Sequence, residues 1–297
     1  PSPWRTALNA VAALAGVAGA AYGIWHWRVA RSPEVAVPKL AARYLDDLRA
    51  GDVAGAYAMF SDAAKSSCSL ADFRASRATE TWTWSDLRIE HIEPGAVLMA
   101  YDLQVSGEPP RVDHLLFTQE NGRWTRPYNW TLMQQVEKAF DNGDPDKGLI
   151  LAQEAATVDP RDPMAWGYLC EAAYYRKAPA VAQTRCEKAI ELARTYPSDL
   201  SLKSLYHLHA ILADIANNSL HQPEKALEQF AEMLSFPQIS PADQCQILLA
   251  RSQTYIALSR PGEALADLDR GAQLCSSPQD LQFIQDQRRR LGAPDAQ

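Results

Sequence analysis

The spacing of apolar positions changes character three times along this chain. Ala7 to Trp27 is a stretch of 21 residues without Asp, Glu, Lys or Arg, rich in Ala, Val, Leu and Gly. Ser32 to Pro38 then reads as a short linker, with two prolines in seven residues. From Lys39 the apolar positions fall on one helical stripe, Leu40, Tyr44, Leu45 and Leu48, stopped by Gly51. Asp52 opens a second helix carrying Ala56, Tyr57 and Phe60, and a short third helix follows Ser69 with Leu70 and Phe73. The period then becomes two. Leu87, Ile89 and His91 alternate with charged residues, Val97, Met99, Tyr101 and Leu103 make a second run, and Val112–Phe117 and Trp124–Tyr128 complete a sheet. Gly95, Ser106-Gly107 and Asn121-Gly122 supply the turns, the last a strong hairpin signal. From Leu132 onward the helical period returns and persists.

That last stretch repeats itself. Leu132 recurs as Trp166, Phe140 as Tyr174, Gly148 as Ala182, Ala152 as Cys186 and Ala155 as Ala189, each 34 residues later. Apolar residues return to apolar places and small residues to small places, the signature of stacked helical hairpins. Ala226-x3-Phe230 makes a third copy after an interval of 44, so an insertion is expected near Asn217-Asn218-Ser219. Ala264-x3-Leu268-x2-Gly271, with Tyr255 before it, makes a fourth. Asp144-Pro145, Asp162-Pro163, Ser240-Pro241 and Ser277-Pro278 each put a capping side chain before a proline at the first helical position. Ser240/Asp243 and Ser277/Asp280 add capping-box spacing, and the last helix, to about Leu291, reads as the solvating cap of the array.

On Trp166-x2-Leu169, Ala182-x3-Cys186-x2-Ala189 and the closing Asp159-Pro160, this region resembles the tetratricopeptide repeat (TPR) family. Cys170 stands where that family prefers Gly, and Arg194 replaces the second closing proline. The resemblance implies a solenoid whose first helices line a concave, protein-binding face. The residues it assigns there are Met164, Gly167, Glu171, Tyr174 and Tyr175 in the second repeat. The first repeat offers Trp130, Met133, Glu137, Phe140 and Asp141, and the fourth Gln246, Leu249, Gln253, Ile256 and Ala257. Chaperone-binding members grip a terminal carboxylate with Lys, Arg and Asn. Those residues are missing here, so that ligand is not expected.

Between linker and repeats, helices come first and an antiparallel meander follows, an α+β order. With LDDLRAGDVAGAYAMFSDAAK at its heart and NGRWTRPYNW at its end, the segment from Val35 to Trp130 resembles the nuclear transport factor two-like superfamily. Its members fold into a cone whose curved sheet wraps a helix and leaves a pocket. Some relatives place an acid or base there, and the candidates here are Asp102, His91, His114 and Asp113. None is paired with an orienting partner at a recognisable spacing, so no catalysis is expected and the cone reads as a spacer and docking module.

Charge and cysteines narrow the setting. A net charge of −7 argues against a nucleic-acid footprint, and Arg288 to Arg290 suit the last turn of a helix, where cations favour the dipole. The first apolar stretch is long enough to cross a bilayer core at about 1.5 Å per residue, and longer than a signal-peptide core. Trp4, Tyr22, Trp25 and Trp27 cluster at its ends, where aromatic rings prefer the headgroups. Gly19-x3-Gly23 and Gly16-x3-Ala20 leave a smooth face for another membrane helix. Arg5 before it and Arg28 and Arg31 after it favour a cytoplasmic body. The cysteines point the other way. Numbered with Trp166 at position 4, Cys170 and Cys186 fall at 8 and 24, and Cys245 and Cys275 at 1 and 31. Both pairs share one sum, as facing residues of an antiparallel hairpin must, so two disulfides and an oxidising compartment are expected. Cys68 is left over, and no zinc-ligand spacing occurs.

The expected protein is thus mainly α with a smaller α+β domain: a transmembrane anchor over 1–31, a cone-shaped domain over 32–130, and TPR-like repeats with a capping helix over 131–297. It is expected to be a single-pass scaffold of a bacterial inner membrane with a periplasmic body, binding subunits of a larger complex, without cofactor, metal or nucleic acid. A chaperone-like adaptor for exported proteins, and a ligand-binding or enzymatic cone to which the repeats recruit clients, are the alternatives.

Overall fold

The computed structural model describes residues 32–77, 81–196, 202–237 and 239–292. The expected membrane span, with Gly16, Gly19, Ala20 and Gly23, lies outside them. Among the described residues no helix is long and apolar enough to cross a membrane. The chain divides into two compact units, with the boundary between Thr131 and Leu132.

The first unit opens with α1 (Pro33–Arg49), so the expected linker is the start of a helix. Pro33 sits at the first helical position, where its missing N–H costs nothing, while Pro38 sits further in and leaves the Glu34 carbonyl without its helical donor. Burial of Val37, Ala41, Tyr44 and Leu45 holds this helix regardless. Three short helices follow, α2 (Val53–Ala58), α3 (Asp62–Ser67) and α4 (Leu70–Ala75). Each starts where a side chain accepts a free backbone N–H: Asp52 from Gly55, Ser61 from Ala64, Ser69 from Asp72. Sequence reading had α2 and α4 but not α3, whose six residues bury only Ala64 and so carry no periodic stripe.

The sheet is an antiparallel meander, β1 (Trp82–Glu93), β2 (Ala96–Val105), β3 (Arg111–Glu120) and β4 (Arg123–Thr125), in sequence order. β2 is buried on both faces from Ala96 to Tyr101, which marks it as the central strand. Phe60 and Phe73 meet edge to face at 4.7 Å, and Tyr128 stacks on Phe60 at 4.7 Å. Burying each such ring contributes about 1.5–3 kcal/mol.

The second unit is a run of antiparallel helix pairs. They are α5 (Trp130–Asp141) with α6 (Pro145–Val158), α7 (Pro163–Tyr175) with α8 (Pro179–Thr195), α9 (Leu202–Asp214) with α10 (Pro223–Ser235), and α11 (Pro241–Ala257) with α12 (Pro261–Leu274), followed by α13 (Pro278–Arg290). The small residues of the second helices, Ala152 and Ala155, Ala182, Cys186 and Ala189, are fully buried. At Gly148 a Cβ would come within 2.9 Å of the Phe140 ring, so glycine admits that ring. The insertion of the third copy lengthens its first helix. α9 runs on through a π turn at Ile215–Ser219, which contains the expected Asn217–Ser219. Asp144, Asp162 and Ser240 cap as expected. Ser277 makes no such bond, and the Asp280 carboxylate accepts from the Gln246 amide at 3.0 Å.

Both cysteine pairs fit disulfides, with Cα–Cα distances of 5.0 Å for Cys170–Cys186 and 5.2 Å for Cys245–Cys275. Each joins the two helices of one repeat. Cys68 is buried at the end of α3. In the fourth repeat Arg251 replaces the core Leu169 of the second, and its guanidinium grips Asp267 with two hydrogen bonds of 2.7 and 2.6 Å. The side chains are only 17% and 7% exposed, so the pair is largely shielded from bulk water.

The four hairpin turns share one backbone feature. Gly143, Lys177, His221 and Ser259 occupy equivalent places, and all take positive φ, at 69°, 57°, 52° and 57°. Around Gly143, Lys177 and Ser259 the same pair of hydrogen bonds closes the preceding helix, for example Lys177 N to Tyr174 O and Ala178 N to Ala173 O. Only glycine takes this conformation without penalty. Lys177→Gly and Ser259→Gly should therefore each stabilise the array by about 0.5–1 kcal/mol, raising the thermal midpoint by about 2–4 °C in a circular-dichroism melt. Asp267→Ala should cost about 3–5 kcal/mol by stranding Arg251, and an apolar pair, Arg251→Met with Asp267→Leu, should regain most of it.

Candidate partner-binding face

The first helices of the repeats present one face, and its expected residues divide by environment. Gly167 is buried within α7 and Met133 within α5, so neither lines a surface. Met164 is half-buried at the start of α7, where its backbone N–H donates to Asp162 at 2.8 Å. Gln253 is exposed on α11. Glu171, Tyr174 and Tyr175 lie at the centre of a connected group that reaches across three repeats.

Aromatic rings join the first two repeats. Tyr168 stacks on Phe140 at 5.6 Å between centroids, Phe140 lies 6.4 Å from Tyr175, and Tyr175 lies 5.8 Å from Tyr174. Tyr175 is 55% exposed, unusual for a large ring with this many neighbours. Polar bonds then join the second repeat to the third. The Tyr174 hydroxyl donates to Asp214 at 2.8 Å, and Asn218 in the π turn donates to the other Asp214 oxygen at 2.7 Å. His207 contacts Glu171 at 2.7 Å.

The electrostatics follow from these partners. Tyr168 is pushed up to about 12, first by burial and then by Glu137, Glu171, Asp141 and Asp162. Tyr174 is pushed up to about 12 by its bond to Asp214, with burial second. His207 is raised from 6.5 because its bond to Glu171 outweighs burial. Sequence reading named Glu171, Tyr174 and Tyr175 but missed Tyr168, His207, Asp214 and Asn218. Tyr168 sits two residues before Cys170, on the side of the helix that meets the preceding repeat. The other three lie inside the 44-residue interval between Ala182 and Ala226, where the period gives no register.

The first unit holds a second polar group, inside its core. Tyr101 and Asp113 pair across β2 and β3, and the Tyr101 hydroxyl donates to Asp113 at 2.6 Å. The Arg126 guanidinium lies 5.0 Å over the Tyr44 ring. Burial, then Asp113, raises the Tyr101 phenol. Burial alone would lower Arg126, yet Tyr44, Tyr101 and Asp113 leave it raised. Of the acid–base candidates, only Asp113 belongs to this group. Asp102 faces Arg88 at 3.3 Å on the surface, His91 is 3.8 Å from Glu93, and His114 is half-buried on β3. The structure does not bring the four together. Among the described residues no three His, Cys, Asp or Glu side chains are placed to hold a metal.

No protein-family model matches this sequence, and no curated protein matches it. Solved structures with a similar helical path include MamA, with a TM-score of 0.42 and 16% identity over 50% of this chain and 78% of that one. PilF of Pseudomonas aeruginosa gives 0.42 and 13% over 55% and 68%, and YrrB, a TPR protein with an unusual peptide-binding site, gives 0.36 and 12% over 54% and 93%. At such scores the likeness concerns chain path alone.

The His207–Glu171 contact predicts a pH dependence. A histidine whose folded value is raised contributes stability that is full below its ordinary 6.5 and is lost as pH rises through the raised value. The thermal midpoint of the full chain should fall across that window. His207→Gln should remove this component of the fall, and an unchanged slope in that variant would refute it.

Proposed function

We propose that this chain is a membrane-anchored scaffold that binds partner proteins through the first-helix face of its repeats, as an accessory or assembly subunit of a larger inner-membrane complex. The observation that carries the reading is the exposed Tyr175, which lies between Phe140 and Tyr174 in a row of contacting rings and is flanked by residues that already bridge three repeats. Broad aromatic contacts on a rigid helical surface are a recurrent feature of protein interfaces. The uncharged stretch from Ala7 to Trp27 supports the anchor, with Gly16, Gly19, Ala20 and Gly23 as its packing face. The two cysteine pairs support a periplasmic body. The first unit is read as a nuclear-transport-factor-two-like spacer, and what supports this is its order of helices followed by an antiparallel meander.

Purification in mild detergent, with mass spectrometry of what accompanies the chain, tests this. One or two stoichiometric membrane proteins are expected, and Tyr175→Ala should deplete them about tenfold or more, as loss of an interface aromatic anchor does. A heterogeneous set of exported polypeptides would favour the chaperone-like alternative, and no partner at all would defeat both. Thiol titration of denatured, unreduced protein should count one free cysteine, and five would place the body in a reducing compartment.

A further inference from the structure

The rings and carboxylates of the first two repeats together suit one chemical class of partner. None of the face positions in the first, second and fourth repeats carries Lys or Arg, while Glu137, Asp141 and Glu171 are among them. Glu137 and Asp141 are exposed and lie one turn apart on α5. Glu171 stands on α7, where it shares its charge with His207. His207 offsets part of the Glu171 charge, while Glu137 and Asp141 keep theirs exposed. Arg176 is engaged with Asp146 at 2.8 Å, and Lys138 follows Glu137 by one residue, about 100° round the helix. Beside the carboxylates stand Tyr168 and Tyr175, whose ring faces attract guanidinium and ammonium groups.

Resting on the scaffold reading above, we infer that this face accepts an extended, basic segment of a partner protein, with Arg or Lys side chains about three residues apart. The spacing follows from geometry. Packed helices stand about 8–10 Å apart, and an extended chain advances about 3.3 Å per residue, so three residues carry one cation from the α5 carboxylates to Glu171. Each cation then has a carboxylate ahead of it and an aromatic ring beneath it. An acidic segment would meet repulsion from the same three groups.

The test uses the full chain in mild detergent and two labelled, end-blocked twelve-residue peptides. One repeats Arg-Pro-Leu, and the other has Glu in place of each Arg. Fluorescence anisotropy should show the Arg peptide binding at least about tenfold tighter, with the difference shrinking at roughly 0.3 M NaCl. Glu137→Gln with Asp141→Asn should weaken it about five- to tenfold, as should Tyr175→Ala. These side chains are exposed, and an unchanged circular-dichroism melt confirms that each variant is folded. Equal or tighter binding of the Glu peptide, no binding of either, or indifference to the charge variants overturns the inference. Co-purification separates this from the scaffold reading. A partner lost with Tyr175→Ala but kept with the charge variants sinks only the basic-segment inference, and one kept by both sinks the docking face itself.

Discussion

A pair of helices has more apolar surface than it can cover alone, and close approach is what lets the next pair cover it. Here that approach is set by side-chain size on the second helix of each repeat. Ala182, Cys186 and Ala189 have no exposed surface, and Ala152, Ala155 and Ala264 fill the same places in neighbouring copies. Small residues let the backbones come together, so large ones on the first helices, Trp166, Leu169 and Phe140, can lie across the gap. Once the pairs stack, the first helices stand side by side, and Phe140 of the first links Tyr168 to Tyr175 and Tyr174 of the second in one row. The face is a by-product of the packing rule, which is why its backbone supports are rigid.

What the sequence made legible were features that repeat. The 34-residue interval located the hairpins, and the shared sum of positions located both cysteine pairs before any distance was known. Alternation located a meander of four strands, with turns at the glycines. What stayed hidden depended on tertiary context. Pro38 interrupts a helix whose burial overrides the lost hydrogen bond, and α3 is too short to show a period. Asp280 has the right spacing to complete a cap with Ser277 but is drawn to Gln246 instead. His207 and Asp214 find their partners across repeats 36 and 40 residues away, beyond a break in the period. In the first unit the buried set of Tyr44, Tyr101, Asp113 and Arg126 comes from four separate elements, and no local spacing announces it.

The two units solve burial differently. The first closes a core of rings, Tyr44, Phe60, Phe73 and Tyr128, against a sheet whose central strand is covered on both faces. The second has no single centre. Its buried residues form a chain of clusters, each joining one hairpin to the helix that follows it. Its stability is therefore a sum of neighbour terms, and each repeat feels mainly the two beside it.

The placement of the cysteine pairs acquires a meaning from that additivity. They fasten the second and fourth hairpins and leave the first and third, the latter with its π turn, held by packing and hydrogen bonds without a covalent clasp. A load pulling along the array, or heat acting on it, acts first where no covalent clasp exists. The third hairpin is thus an unclasped joint between two clasped ones, and the bonds across its near edge run from Glu171 and Tyr174 on the second hairpin to His207 and Asp214 on the third itself.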